Sequence, residues 1–210
     1  MLSRSVIAPV SQIKTVIIGE SSIGKSSIFR RLAGEDFREN EESTIGTDIK
    51  VKTIKYPDYN TSLQLEIWDT AGSEQYKQLT NIFYQNASIA ILVYDITKEH
   101  TFDELKNFWY HDVITKVPGI IIGVAGNKAD LYAFEKVEES KARNFAENIN
   151  ATFKLTSAKT GSGIDDMLYE LGLRFLKANK DNPNYNLRKA FTLESYHGEQ
   201  KIEKKKDCCR

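Results

Sequence analysis

The sequence predicts an α/β fold built on a six-stranded, mostly parallel sheet with helices on both faces. Two observations predict it. Short apolar runs alternate along the chain with longer segments of helical spacing, the pattern of strands joined by crossover helices. The first run, Val16-Ile17-Ile18, leads directly into Gly19-Glu20-Ser21-Ser22-Ile23-Gly24-Lys25-Ser26, a G-x-x-x-x-G-K-[ST] pattern at home in a strand-to-helix turn.

Strands are expected near 14–19, 48–56, 62–68, 88–94, 120–126 and 152–155. The third, with Leu63-Gln64-Leu65-Glu66-Ile67-Trp68, alternates with period two and should bury one face. Tyr56-Pro57-Asp58-Tyr59-Asn60 carries turn chemistry, so the second and third strands should form one antiparallel hairpin at the sheet edge. Helices are expected near 25–33, 74–84, 101–116, 138–148 and 163–178. The chain divides into a flexible extension, 1–13, one folded domain, 14–178, and a flexible tail, 179–210. At 210 residues and 40 % hydrophobic, it is long enough for one self-sufficient core. Acidic and basic residues balance at 29 each, which gives no electrostatic case for nucleic-acid binding. No apolar run approaches the roughly eighteen residues of a membrane span. Val6-Ile7-Ala8 is too short for a secretory signal core, so a cytosolic protein is expected.

The glycine-rich run is a phosphate-binding loop by its chemistry. Its glycines let successive N–H groups converge on one concavity lined by Ser21, Ser22, Ile23, Gly24, Lys25, Ser26 and Ser27. Lys25 can reach phosphate oxygens, and the Ser26 hydroxyl can ligate Mg²⁺. Asp69-Thr70-Ala71-Gly72 follows the third strand, putting a carboxylate where it can hold a metal-bound water and the Gly72 N–H where it can meet a γ-phosphate. Asn127-Lys128-Ala129-Asp130 follows the fifth strand, and the Asp130 carboxylate can accept from N1–H and the 2-amino group of guanine, which adenine does not offer. Thr156-Ser157-Ala158-Lys159 follows the sixth and offers a backbone N–H to the guanine 6-oxygen. Each motif falls at the carboxyl end of an expected strand, where open α/β sheets bind ligands.

With these motifs in this order, the chain resembles the Ras superfamily of small GTPases and, within it, the Rab family. Rab-like wording recurs in Ser43-Thr44-Ile45-Gly46, Ile67-Trp68-Asp69-Thr70-Ala71-Gly72 and Leu92-Val93-Tyr94-Asp95-Ile96-Thr97. The likeness is greatest to the early-endosomal branch. The resemblance implies a P-loop small G domain, GTP or GDP with Mg²⁺, and slow hydrolysis to GDP. It places Phe37 against the guanine ring and Thr44 on Mg²⁺ and the γ-phosphate, making the polar stretch between Gly34 and Gly46 a switch. Ile49, Trp68 and Phe83 resemble an exposed effector-binding triad, although Ile49 and Phe83 fit a core equally well. Implied partners are an exchange factor, a GTPase-activating protein, effectors, a GDP-dissociation inhibitor and a prenylation escort protein, with the GTPase itself monomeric. An ATP-dependent P-loop enzyme is disfavoured, since no catalytic carboxylate partner or additional substrate domain is evident.

The chain also departs from the family pattern. Ser73 stands where most relatives carry a glutamine that orients the attacking water, so intrinsic hydrolysis should be slower than is usual. The activating proteins of Rabs can supply an arginine and a glutamine in trans, which would preserve stimulated turnover. The competing expectation is a GTP-retaining binding scaffold that does not hydrolyse. Residues 179–210 carry a net charge of +3 and end in Lys204-Lys205-Lys206-Asp207-Cys208-Cys209-Arg210. Adjacent cysteines are poorly placed for a disulfide and too few for zinc. In a Rab-like chain, Cys208 and Cys209 resemble a double geranylgeranylation signal, implying attachment to the cytoplasmic face of endosomal membranes beside a cytosolic pool.

Overall fold

A computed structural model describes residues 11–39, 47–70 and 83–180. Six strands, β1 (Ser11–Ile18), β2 (Thr47–Tyr56), β3 (Thr61–Thr70), β4 (Ile89–Asp95), β5 (Ile121–Asn127) and β6 (Thr152–Leu155), form one sheet in the order β2-β3-β1-β4-β5-β6. Among the described residues only the β2–β3 pairing is antiparallel, so the expected edge hairpin is present. Its turn is a short 3-10 segment, Pro57–Tyr59, closed by Asn60 in the left-handed region at φ 44°. Asparagine tolerates that conformation, which is why Pro-Asp-Tyr-Asn reverses the chain here.

Burial follows from the sequence pattern. Every residue of β4 is buried, as a strand covered on both faces requires, whereas β3 buries Leu63, Leu65 and Ile67 and leaves Gln64, Glu66 and Trp68 half-exposed. One face packs against α1 (Lys25–Leu32) and α5 (Ile164–Ala178), joining Ile28, Phe29, Leu32, Leu168 and Leu171 to Ile13, Ile17 and Leu65. The other face takes α2 (Glu99–Glu104), α3 (Tyr110–Lys116) and α4 (Glu139–Asn148), with Phe102, Trp109, Val113, Ala142 and Ala146 against Val16, Leu92 and Val124. The hairpin is held over α5 by Tyr56, whose hydroxyl donates to the Tyr169 carbonyl at 3.1 Å and whose ring stacks on Tyr169 at 4.9 Å. This close approach explains a glycine in mid-helix: a Cβ on Gly172 would stand 2.0 Å from the Tyr56 hydroxyl.

Three expectations need correction. The extension drawn over 1–13 ends earlier, because β1 starts at Ser11 and pairs Ser11, Gln12 and Ile13 with Leu63, Gln64 and Leu65. Ile13 is buried, and its neighbour Gln12 points to solvent, so the polar letters that suggested a loose leader are one face of a strand. The helix expected over 101–116 starts two residues sooner, at Glu99, and is interrupted by a π turn, Leu105–Trp109, between α2 and α3. Ala129–Phe134 forms a 3-10 segment where no element was expected. The helix expected over 74–84 falls outside the described residues except at its last two positions.

Candidate functional site

β1 lies between β3 and β4, at the point where the strand order reverses, and the loop leaving it opens into the crevice characteristic of such sheets. The loop is bent by Gly19 at φ 143°, Ser22 at φ 60° and Gly24 at φ 91°, and Gly24 forms the N-cap of α1. A Cβ on Gly24 would approach the Asn127 amide nitrogen to 2.5 Å, so this position requires glycine for space as well as for conformation. The first turn of α1 presents backbone N–H groups that have no partner within the helix, and the positive end of the helix dipole adds to an anion-binding end.

Lys25 opens α1 and is 5 % exposed. Its ammonium donates to the Glu20 carbonyl at 2.6 Å, spanning the loop. Burial pushes its pKa down to about 8, with Asp69 and Glu20 partly opposing the shift. A polyanion in the concavity would reverse this, since a nearby negative charge favours the ammonium. Asp69, near the end of β3, is 2 % exposed. Burial raises its pKa, against a hydrogen bond from Ser26 and the charge of Lys25, with Asp48 across the hairpin adding repulsion. Its Oδ1 is buried and has no hydrogen-bond partner among the described residues. An orphaned, buried carboxylate oxygen beside a serine hydroxyl is the donor set a small hard cation takes, so the residues present fit Mg²⁺.

The second and third motifs are drawn to this loop by direct bonds. Asn127, 1 % exposed at the end of β5, donates to the Ile23 carbonyl at 2.8 Å and accepts from the Thr156 hydroxyl at 3.3 Å. Lys128, held at φ 66°, donates to the Ser22 carbonyl at 3.0 Å and pairs at 2.6 Å with Asp95, which is fully buried. Burial alone would raise the Asp95 pKa, but hydrogen bonds from Lys128 and Thr97 outweigh it and hold the carboxyl below its usual range. Ser157 donates to Asp130 at 2.5 Å, and the Ala129 N–H donates to the Thr156 carbonyl at 3.0 Å. Ser157 and Ala158 are buried, Asp130 is half-buried and Lys159 is exposed.

Of the expected site residues, Ser21 to Ser27, Asp69, Asn127, Lys128, Asp130, Ser157, Ala158 and Lys159 therefore lie at or just beyond the carboxyl ends of β1, β3, β5 and β6. Phe37 lies half-buried against the core beneath α1 and α5. Ile49 faces Trp68 across the hairpin, and Trp68 and Phe83 pack partly against the opposite core; all three are half-buried rather than fully exposed. The Lys14 ammonium covers the Trp68 ring at 3.7 Å. Thr44, Gly72, Ser73, Cys208 and Cys209 lie outside the described residues. Sequence reasoning assigned no role to Asp95 or Arg31. The first stood within Tyr94-Asp95-Ile96-Thr97 and could have been suspected from a carboxylate ending a buried strand; nothing in the sequence pointed to the second. No helix among the described residues is long and apolar enough to cross a membrane.

A family model described as the Ras family matches residues 14–177. The curated relatives include the human "Ras-related protein Rab-22A", 36 % identical over 199 residues that cover 94 % of this chain and 98 % of the relative. The dog (Canis lupus familiaris) and mouse (Mus musculus) proteins of that name align over the same lengths at 36 % and 37 % identity.

Proposed function

The chain belongs to the Ras family of small GTPases, in its Rab branch, and we propose that it is a membrane-traffic switch that turns over GTP slowly. Members of this family bind guanine nucleotides and hydrolyse GTP, working with exchange factors, activating proteins and effectors. In the proposed cycle, the loop N–H groups and Lys25 hold the phosphates, and Lys25 offsets charge that develops on the transferred group. Ser26, Thr44 and, through water, Asp69 would hold Mg²⁺, which when bound neutralises phosphate oxygens. Asp130 reads N1–H and the 2-amino group of guanine; the Ser157-Ala158-Lys159 backbone reads the 6-oxygen, and Phe37 covers the ring edge. Loss of the γ-phosphate releases Thr44 and the Gly72 N–H, which changes the surface offered to effectors through Ile49, Trp68 and Phe83.

The observation that best supports this reading is the joining of three loops by Asn127, Lys128 and Ser157, which draws the loop proposed to hold phosphate toward Asp130, the carboxylate proposed to select guanine. Slow intrinsic hydrolysis follows from Ser73, whose side chain is one methylene and a hydroxyl where an amide is needed to orient water. The anchor is proposed at Cys208 and Cys209, delivered by a prenylation escort protein and extracted by a GDP-dissociation inhibitor, on the cytoplasmic face of endosomal membranes. The G domain would run from Ser11, where β1 begins, to about residue 178, with 179–210 as the tether.

Single-turnover hydrolysis of GTP, with and without a Rab-directed activating protein, tests the reading. A slow intrinsic rate accelerated by the activating protein is expected. No turnover under either condition would favour the alternative, a GTP-retaining scaffold. Binding of ATP as tight as that of GTP would refute the guanine assignment altogether.

A further inference from the structure

We infer that Arg31, on the surface of α1, is a positioning residue for guanine recognition: it fixes the loop that presents the base-reading groups. This rests on the proposed guanine site. The Arg31 guanidinium takes two consecutive carbonyls of that loop at once, Nε donating to Ala158 and Nη2 to Lys159, both at 3.0 Å. A planar fork bound at two points fixes orientation as well as distance, which a single lysine donor cannot do. Among the described residues the carboxylate paired with Arg31 is Asp36, which stands 3.9 Å from Nη1 and is fully exposed, so it competes weakly for the fork.

What the fork orients follows from peptide geometry. No peptide bond described here is cis, and in a trans peptide the carbonyl and the next N–H point in opposite directions. Holding the Ala158 carbonyl therefore turns the Lys159 N–H away from Arg31, and holding the Lys159 carbonyl does the same for the Thr160 N–H. The Thr160 N–H donates to the Ser157 hydroxyl oxygen at 3.1 Å, and that hydroxyl donates to Asp130 at 2.5 Å. Arg31 is thus the first member of a relay that runs through peptide 159–160 and Ser157 to the carboxylate proposed to select guanine. It also sets the backbone proposed to meet the 6-oxygen. Because Arg31 and Lys25 stand on the same eight-residue helix, the end of α1 that cradles phosphate and the side of α1 that steadies the base loop move as one body.

The test compares affinities for GDP and for purine riboside diphosphate, measured by competition against a fluorescent GDP analogue. The second probe has the same ribose and diphosphate but lacks the 6-oxygen, N1–H and 2-amino group. Wild type should prefer GDP strongly. Arg31→Ala should lower that preference about tenfold, the worth of one charge-assisted hydrogen bond, with little change for the blank base. Arg31→Lys, which keeps one donor, should fall between them and carries the test if the alanine variant folds poorly. An unchanged preference, or equal weakening of both nucleotides, would overturn the inference while leaving the guanine site standing. A wild type that does not distinguish the two nucleotides would instead refute the guanine site on which the inference rests.

Discussion

Replacing Lys25 by methionine should make the nucleotide-free protein less dependent on pH while abolishing nucleotide binding. In the folded chain, burial lowers the Lys25 pKa to about 8 from an ordinary value of 10.5. Below about pH 8, both folded and unfolded states carry the proton, and the folded state bears the full cost of a desolvated ammonium, about 3 kcal/mol from that shift. Between those two values the unfolded chain binds one more proton than the folded one. Stability therefore rises with pH through this window, by about 2 kcal/mol between pH 7.5 and pH 9.5. Lys14 is pushed the same way, chiefly by desolvation, yet it lies half-exposed over the Trp68 ring, which favours its charged form. Subtracting the Lys25→Met curve from the wild-type curve removes its contribution. Urea unfolding of nucleotide-free protein at several pH values supplies both curves. Loading with GDP should flatten the wild-type rise, because the diphosphate restores the ammonium. If the wild-type and Lys25→Met curves run parallel across the window, Lys25 is not held desolvated in the folded chain, and its proposed readiness for a polyanion fails with it.

Asp130→Asn should weaken GTP binding severely, at about 1 to 3 kcal/mol for each unmet buried group, and shift preference toward xanthosine nucleotides; competition binding with GTP, XTP and ATP would show it. Ser73→Gln should raise intrinsic single-turnover hydrolysis by about tenfold while leaving GDP and GTP affinity nearly unchanged, since the residue acts on water rather than on the nucleotide. Equal rates would mean that Ser73 does not limit the reaction. Cys208→Ser with Cys209→Ser should leave a fully cytosolic protein that still cycles nucleotide. A single substitution should retain partial attachment, helped by Lys204, Lys205 and Lys206 at about 1 kcal/mol each near an anionic surface, and fractionation with a high-salt wash separates these outcomes.

The residues that were legible in the sequence are those whose chemistry is local. Gly24, Lys25 and Ser26 announce themselves because one short loop must turn tightly, bind anion and start a helix, and only a few residue types do each. The six strands were legible because β4 and β5 are apolar up to the polar residues that end them, Asp95 and Asn127, and β3 alternates cleanly. The start of β1 was not, because Ser11 and Gln12 look like leader until a partner strand is known; the parallel pairing with Leu63 and Gln64 decides it. Nor was the π turn at Leu105–Trp109, since one extra residue in a helix leaves the apolar spacing almost intact. Arg31 was hidden for another reason. Its partners are backbone carbonyls 127 and 128 positions away, which carry no signature in any side chain.

The buried pair of Asp95 and Lys128 shows how the fold and the site depend on one another. A fully buried carboxylate without a partner would be strongly destabilising. The parallel register of β4 and β5 sets Asp95 opposite Asn127, so the next residue along is the one delivered to it, and the left-handed turn at Lys128 aims the side chain back across the sheet end. The same ammonium then reaches the Ser22 carbonyl, while Asn127 takes that of Ile23. Two adjacent carbonyls of the phosphate loop are therefore turned away from the concavity by groups the core already requires, leaving N–H groups to face a ligand. These bonds come from the protein itself, so they hold the loop's shape without drawing on a ligand. Neither bond involves a group proposed to touch the γ-phosphate. Reading the γ-phosphate must then fall to residues outside them, as the roles proposed for Thr44 and Gly72 require.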